Sequence, residues 1–328
     1  MEESLPTLSV FTLQGLGNTI LSLPILLRLV QKFDVRLYLM HRGAYDFFKS
    51  MALPMELFLF ESPWNLFLNR IKRCEIAVSL YPNWKREMVS LWRCKANRKI
   101  SFFDPDFQFT RWFPGEKLQR ENVHDLENNA KIFEALGVTA AVPFLDFKKL
   151  ECFQVAHDEK LAVIHPTAST SAKFYPEAFW SEVIEGMLER GFKIRMVCGS
   201  AQREHSFARG LLRSGVSLEE GAPLLEVAKS IAGCGVFIGL DSSLAHLAAL
   251  LGKSTLVFWS TADFRRIHPY GDQVRLYLAR EVFEKNKSFE LTHECAKARD
   301  ALQILDNKKE PSFTLATKFT KPVLLYAY

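Results

Sequence analysis

Residues 236–259 read Val236-Phe-Ile-Gly-Leu-Asp241-Ser-Ser-Leu-Ala-His246-Leu-Ala-Ala-Leu-Leu-Gly252-Lys-Ser-Thr-Leu-Val-Phe-Trp259. An apolar run ends in a short polar turn, an apolar helical segment follows as far as Gly252, and a second apolar run begins. Strands covered on both faces read as continuous apolar runs, so this succession predicts one β-α-β unit of a parallel sheet. The polar turn falls at the carboxyl end of a strand, where open parallel sheets receive ligands. The helix begins at Asp241-Ser242-Ser243, and its free amides and positive dipole end favour an anion such as a diphosphate. His246 lies within the first turn or so. The same residues also read as a plain buried unit with an Asp or Ser N-cap.

The alternation extends in both directions. Leu8–Leu13 is predicted as a strand and Gly15-Leu-Gly17-Asn18 as a tight turn. Thr19–Gln31 is predicted as a helix with Ile20, Leu23, Leu27 and Val30 on one face. Val35–Met40, Phe58–Phe60 and Ile76–Leu80 are further strand-like runs, and Glu121–Gly137 is a helical pattern closed by Gly137. Residues 138–155 carry Pro143, mixed charge and little periodicity, and read as a linker. The pattern restarts with strand Leu161–Ile164, the loop His165–Lys173, a helix after Pro176 and strand Lys193–Val197. The expected class is α/β, with Rossmann-like parallel-sheet domains at 1–150 and 151–305. The apolar end of the tail at 306–328 is expected to pack back on the first domain.

The chain has 328 residues, 48% of them hydrophobic and 24% charged, which suits two ordinary globular cores. A formal net charge of +5 fits a mildly anionic partner and is too small to argue for nucleic acid. The six cysteines have no C-x-x-C spacing, so zinc and dithiol redox chemistry are not indicated. The opening Met1-Glu-Glu-Ser-Leu-Pro carries no basic stretch, so no signal peptide is expected, and without an apolar run of about 20 residues no transmembrane helix is expected. The expectation is a cytoplasmic protein, with peripheral contact at the inner face of the cytoplasmic membrane.

Local motifs sharpen this. Gly15-Leu-Gly17-Asn18 lets the backbone approach a ligand closely, but Ile20 stands where a dinucleotide fingerprint needs glycine. Gly252-Lys-Ser-Thr fails as a P-loop because position 247 is leucine, and Gly252 reads instead as a helix C-cap. His165-Pro-Thr167-Ala-Ser169-Thr-Ser-Ala-Lys173 offers hydroxyls and one cation after a strand, suited to a diphosphate or to plain solvation. Between Tyr81 and Ile100 six basic residues and two tryptophans accompany the single acid Glu87. That is either a solvated helix face or a surface for an anionic glycolipid.

Taken together, Gly15-Leu-Gly17-Asn18 with Leu23-Pro24, His165-Pro-Thr167 with Lys173-Phe-Tyr-Pro176, and Asp241-Ser-Ser-Leu-Ala-His246 resemble the ADP-heptose:lipopolysaccharide heptosyltransferases, glycosyltransferase family 9. The resemblance implies the GT-B fold, two Rossmann-like domains facing across a cleft. It implies an inverting transfer with no metal or resident cofactor. The donor would be a nucleotide sugar such as ADP-heptose, and the acceptor an anionic glycolipid or oligosaccharide. Carried over by position, Lys173 is the diphosphate lysine, with Thr167 and Ser169 beside it. Ser242, Ser243 and Leu244 supply helix-start amides, Asp241 and His246 lie beside the donor sugar, and Glu204 lies near the ribose. Gly15 and Gly17 form the acceptor-side turn.

Two positions depart from the family pattern. Asn18 replaces the Asp taken to be the general base, and losing such a base costs about 10²–10⁴-fold. Ser243 replaces a glycine. His124 and Asp125 are alternative proton acceptors, and Asn18 then positions the acceptor. A weakened homologue that binds without efficient turnover is the main rival reading, and an epimerase-type GT-B enzyme a lesser one.

Overall fold

The computed structural model describes residues 5–62, 71–81, 85–138, 150–259, 264–278, 298–306, 313–315 and 323–327. The chain divides into Met1–Leu145 and Asp146–Tyr328, and the division falls inside the segment read as a linker. The first unit runs β1 (Thr7–Thr12), α1 (Leu16–Leu21), α2 (Leu23–Leu29), β2 (Asp34–Leu39), α3 (Arg42–Ser50), β3 (Met55–Leu59) and β4 (Cys74–Ser79). It continues with α4 (Lys85–Arg93), β5 (Ala96–Phe103), β6 (Glu116–Gln119) and α5 (Asp125–Ala135). Its strands are parallel in the order β3-β2-β1-β4-β5-β6, which is Rossmann order.

The second unit runs β7 (Asp158–His165), α6 (Glu177–Glu189), β8 (Lys193–Cys198), α7 (Gln202–Gly210), β9 (Val216–Glu220), α8 (Leu224–Gly233) and β10 (Cys234–Leu240). Then come α9 (Ser243–Leu250), β11 (Ser254–Trp259), α10 (Phe264–Ile267), β12 (Val274–Leu278), α11 (Ala298–Leu305), β13 (Phe313–Leu315) and β14 (Val323–Ala327). The sheet order is β13-β14-β12-β11-β10-β7-β8-β9. From β9 to β12 it repeats the order of the first unit. In both sheets the order reverses beside the first strand, between β1 and β4 and between β7 and β10. Such switch points open a crevice at the strands' carboxyl ends.

Two expectations need correction. The tail does not join the first unit's sheet: β14 pairs parallel with β12, and β13 folds back antiparallel on β14. A strand after β12 satisfies an edge that β12 would otherwise expose. The predicted helix at 19–31 is two helices that meet at Ser22, because Pro24 has no amide for the carbonyl one turn earlier. The glycines read as helix stops behave as such, with φ of +67° at Gly137 and +69° at Gly252.

Packing fixes the loops. Phe258 of β11 lies 4.9–5.7 Å, centroid to centroid, from Tyr175, Phe179, Trp180 and Tyr277. Tyr175 is fully buried, so this cluster anchors the loop that carries Lys173 two residues earlier. In the first unit Phe11, Tyr38 and Phe58 stack at 4.6–4.7 Å. The thiols of Cys74 and Cys94, distant in sequence, lie 3.5 Å apart in the same core. Among the described residues no helix is long and apolar enough to cross a membrane.

Candidate active site

In the second unit the loops after β7 and β10 meet across the switch point. His165 ends β7, and its Nδ1 lies 3.1 Å from the Ser242 hydroxyl. Its Nε2 lies 3.4 Å from the hydroxyl of Thr167. Thr167 in turn donates to Glu204 Oε2 at 2.8 Å, and the Gly199 amide donates to the same oxygen at 3.0 Å. Glu204, on the first turn of α7, therefore braces the ends of β7 and β8 against each other. Lys173 reaches across the same junction, donating to Asp241 Oδ2 at 2.6 Å and to the Asp241 carbonyl at 3.2 Å. The Lys173 side chain is 21% exposed and that of Asp241 8%. Ser169 is exposed, and its carbonyl accepts from Arg203.

Ser242 is the N-cap residue of α9, but its side chain does not cap the helix. The hydroxyl is turned to His165 instead, so Ser243 and Leu244 present first-turn amides that an anion can meet. His246 is 5% exposed, and its Nδ1 has no hydrogen-bond partner among the described residues. Burial, then the nearby charges of His268 and Lys173, push its imidazole down to about 3. Burial alone pushes His165 down to about 4. Both rings are neutral at physiological pH. They can orient groups and exchange hydrogen bonds, but a base this weak gains little from taking a proton.

The positive charge beside Asp241 is thus Lys173 and the start of α9, with Arg203 held at the Ser169 carbonyl of the same loop. That pair suits a leaving group on which negative charge builds up. The structure brings Thr167, Lys173, Glu204, Asp241, Ser242, Ser243, Leu244 and His246 to one end of this sheet. His165 and Arg203 join them. His165 has no role in the sequence pattern of the loop, yet as the last residue of an apolar strand it is a ring buried at the switch point.

The first unit repeats the arrangement with other chemistry. Gly15 opens α1 in extended conformation (φ −63°, ψ 162°), with nothing within 4 Å of where a Cβ would stand. Conformation does not require glycine there, but the open space leaves backbone accessible. Asn18 Nδ2 donates to Gln14 Oε1 at 2.7 Å. The Asn18 carbonyl accepts from Tyr81 Oη at 2.8 Å and from Ser22 Oγ at 2.9 Å. Tyr81 follows β4, so these bonds again span the switch point.

Beneath the turn lies Glu87, fully buried on α4. Its carboxylate accepts from the Leu13 amide at 2.8 Å and from Ser79 Oγ at 2.6 Å, tying the ends of β1 and β4 together. Burial pushes its carboxyl up to about 8. Glu87 shares a helix face with buried Leu91 and Cys94 at i+4 and i+7, a spacing that could have flagged it.

His124 and Asp125 do not stand free as proton acceptors. His124 caps α5 through Nδ1, which accepts from the Leu126 amide at 3.1 Å, and Asp125 is ion-paired to buried Arg120. Asp104-Pro-Asp106 sets two carboxylates two residues apart, a spacing that could hold a cation. Here Asp104 Oδ2 lies 3.5 Å from Arg120 Nε, and its Oδ1 accepts from the Asp106 amide at 3.0 Å. Of the basic stretch, Trp84 lies outside the described residues.

The comparisons bear on both units. Residues 94–297 match the model of glycosyltransferase family 9 (heptosyltransferase). The chain is 36% identical over 121 residues to lipopolysaccharide heptosyltransferase 1 of Pseudomonas aeruginosa, covering 35% of this chain and 33% of that protein. It is 24% identical over 246 residues to lipopolysaccharide heptosyltransferase 3 of Escherichia coli, covering 67% and 71%. The matches to two heptosyltransferase 1 relatives thus span only 33% and 38% of their length.

Among solved structures, the E. coli heptosyltransferase WaaC with ADP superposes with a TM-score of 0.75 at 17% identity, over 92% of this chain and 100% of that one. A family 9 glycosyltransferase from Veillonella parvula gives 0.73 at 15%, over 94% and 98%. These likenesses show the α/β GT-B fold. With that fold, and with a family model matched over well more than half its length, the chain belongs to glycosyltransferase family 9.

Proposed function

We propose that this protein is an inverting, metal-independent glycosyltransferase that moves heptose from ADP-heptose to an anionic lipopolysaccharide-core acceptor in the cytoplasm, at the membrane's inner face. The observation that carries the reading is the Lys173–Asp241 pair, set beside the uncapped start of α9 at the switch point of the second sheet. A diphosphate placed there meets an ammonium and two helix-start amides. As the sugar leaves, the charge building on the phosphates is met by those groups without a cation. The curated relatives are named as lipopolysaccharide heptosyltransferases, and one solved relative holds ADP-2-deoxy-2-fluoro heptose, which supports this choice of donor.

On the acceptor side, Asn18 positions the attacking hydroxyl by hydrogen bonding and another group takes its proton. The test is transfer from ADP-heptose to a heptose-free lipopolysaccharide core in the presence of a chelator, with the anomeric configuration of the product read by NMR. Chelator-resistant formation of the inverted product is expected. Loss of turnover that added magnesium restores would refute metal independence.

One observation favours a second reading. The amide at position 18 cannot act as a base, and its Nδ2 is already bonded to Gln14, as in a homologue that binds the donor without efficient turnover. ADP binding with no transfer to any core acceptor would select that reading.

A further inference from the structure

The two most exposed large apolar side chains among the described residues, Trp112 at 67% and Trp92 at 62%, stand together on the first unit. Trp92 lies on the last turn of α4, and its indole N–H donates to the carbonyl of Trp112 at 3.2 Å. Trp112 ends a short 3-10 turn at Gln108–Trp112, and the Arg111 guanidinium lies 5.8 Å from its ring centroid. Lys99 Nζ donates to the Trp92 carbonyl at 3.3 Å. Exposed Lys95 and the part-exposed ring of Phe107 lie on the same two segments. Of the acids between residues 85 and 116, Glu87 and Asp104 are buried, Asp106 is exposed, and exposed Glu116 is in an ion pair with Arg98. The patch stands apart from the acceptor turn, because α4 leads from the carboxyl end of β4 to the amino end of β5, and Trp92 is at the far end of that crossover.

An indole left in water forgoes burial of a large apolar face, and a surface that carries two of them rimmed by cations has a partner. The partner follows from the chemistry. Tryptophan settles at the headgroup level of a bilayer, and lysine and arginine beside it are drawn to anionic lipid. We propose that Trp92 and Trp112, with Lys95, Lys99, Arg111 and Phe107, form the surface by which the protein docks on an anionic lipid bilayer. The indoles enter the headgroup region and the cations meet lipid phosphates. The bond from the Trp92 indole to the Trp112 carbonyl holds the Trp92 ring before contact, so little of that side chain's freedom is lost on docking. The proposal names the surface for the membrane contact suggested above. It is measured without donor or acceptor, so its failure leaves the transfer reading standing.

The experiment is flotation of the full chain with vesicles of phosphatidylethanolamine and phosphatidylglycerol, against vesicles of phosphatidylcholine. The wild type is expected to float with the anionic vesicles alone and to be released by salt. The pair Trp92→Ser/Trp112→Ser, at positions too exposed to disturb the fold, is expected to lower partitioning roughly ten-fold or more. Lys95→Glu/Arg111→Glu is a second, independent variant. Each cation at an anionic surface is worth about five-fold, so this pair is expected to lower partitioning by at least roughly 25-fold. The proposal is overturned if the wild type floats equally with both vesicle types or with neither. It is also overturned if both double variants float like the wild type, or if the tryptophan pair instead abolishes self-association measured without lipid.

Discussion

Replacing Lys173 by methionine separates two roles that the structure superimposes. Nζ lies 2.6 Å from Asp241 Oδ2, in a pair 21% and 8% exposed. Stripping a buried carboxylate of its cation costs about 3–5 kcal/mol when burial is complete. The exposed fifth of the lysine admits water, so a loss of about 2–3 kcal/mol is expected. For a unit of this size that is a fall in midpoint of about 5–10 °C. The same change removes a charge-assisted hydrogen bond to a bound diphosphate, worth about 1.5–3 kcal/mol, or roughly 10–150-fold in Kd for ADP. Adding Asp241→Asn discharges the stranded carboxylate. Stability should then recover, while ADP affinity should not. ADP lacks the transferred heptose, so a contact of Asp241 with the donor sugar does not enter the reading. Thermal melts and calorimetric titration with ADP in chelator check both quantities on the single and double variants. Wild-type affinity in Lys173→Met would refute the assignment. So would joint recovery of stability and affinity in the double variant, because Lys173 would then serve only to neutralise Asp241.

Three further outcomes are expected. Because another group is proposed to take the acceptor proton, Asn18→Asp alone should leave the rate in a single-turnover transfer assay within a few-fold of wild type; a rise of about 10²–10⁴-fold would show that the wild type lacks a base. Glu87 is raised to about 8 in the folded state, so between about pH 4.5 and 8 the folded chain holds a proton that the unfolded chain has lost. Its contribution is complete in acid and is lost as pH rises through 8. Glu87→Gln keeps an acceptor for the Leu13 amide and should flatten that decline, making the variant the more stable at pH 8 in pH-resolved denaturant melts. His165 and His246 are depressed to about 4 and 3, so they stabilise the fold above the unfolded value near 6.5. That contribution falls by about 1.4 kcal/mol per pH unit and per histidine as the medium acidifies below it. His246→Asn should therefore give a shallower acid limb in the same melts, and an unaltered limb would mean that the ring is not buried neutral.

Much of the second unit was legible in the sequence because its signals are local. Continuous apolar runs such as Val236–Leu240 announce strands covered on both faces, and Gly252 announces the end of a helix. The expected donor loops converge because a switch point brings the ends of β7 and β10 together, and a sequence that alternates strand and helix nearly obliges one. What was not legible depends on partners far along the chain. Glu87 looked like the odd acid in a basic stretch, and only the meeting of β1, β4 and α4 makes it a brace. Asp125 looked available until Arg120 was seen to hold it. The tail's apolar end was read for its hydrophobicity, which says that it docks but not on which sheet.

These partners change how the departure at position 18 is understood. In the second unit the switch point presents a cation and helix amides, with its imidazoles held neutral, as an arriving anion requires. In the first unit the groups bonded around the turn at the switch point are neutral: the Asn18 amide and, buried beside it, Gln14 and the hydroxyls of Ser22 and Tyr81. Its charges lie beneath them, already engaged, Asp104 and Asp125 with Arg120, while Glu87, bonded to Leu13 and Ser79, keeps its proton below about pH 8. Gln14 turns its carbonyl oxygen toward residue 18, which suits an amide donor and would oppose a carboxylate unless the Gln14 amide rotated. Asn18 is therefore one half of a matched pair rather than an isolated loss. Restoring a base there is expected to work best together with a change at Gln14, and Gln14→Ser with Asn18→Asp should outperform Asn18→Asp alone in the transfer assay.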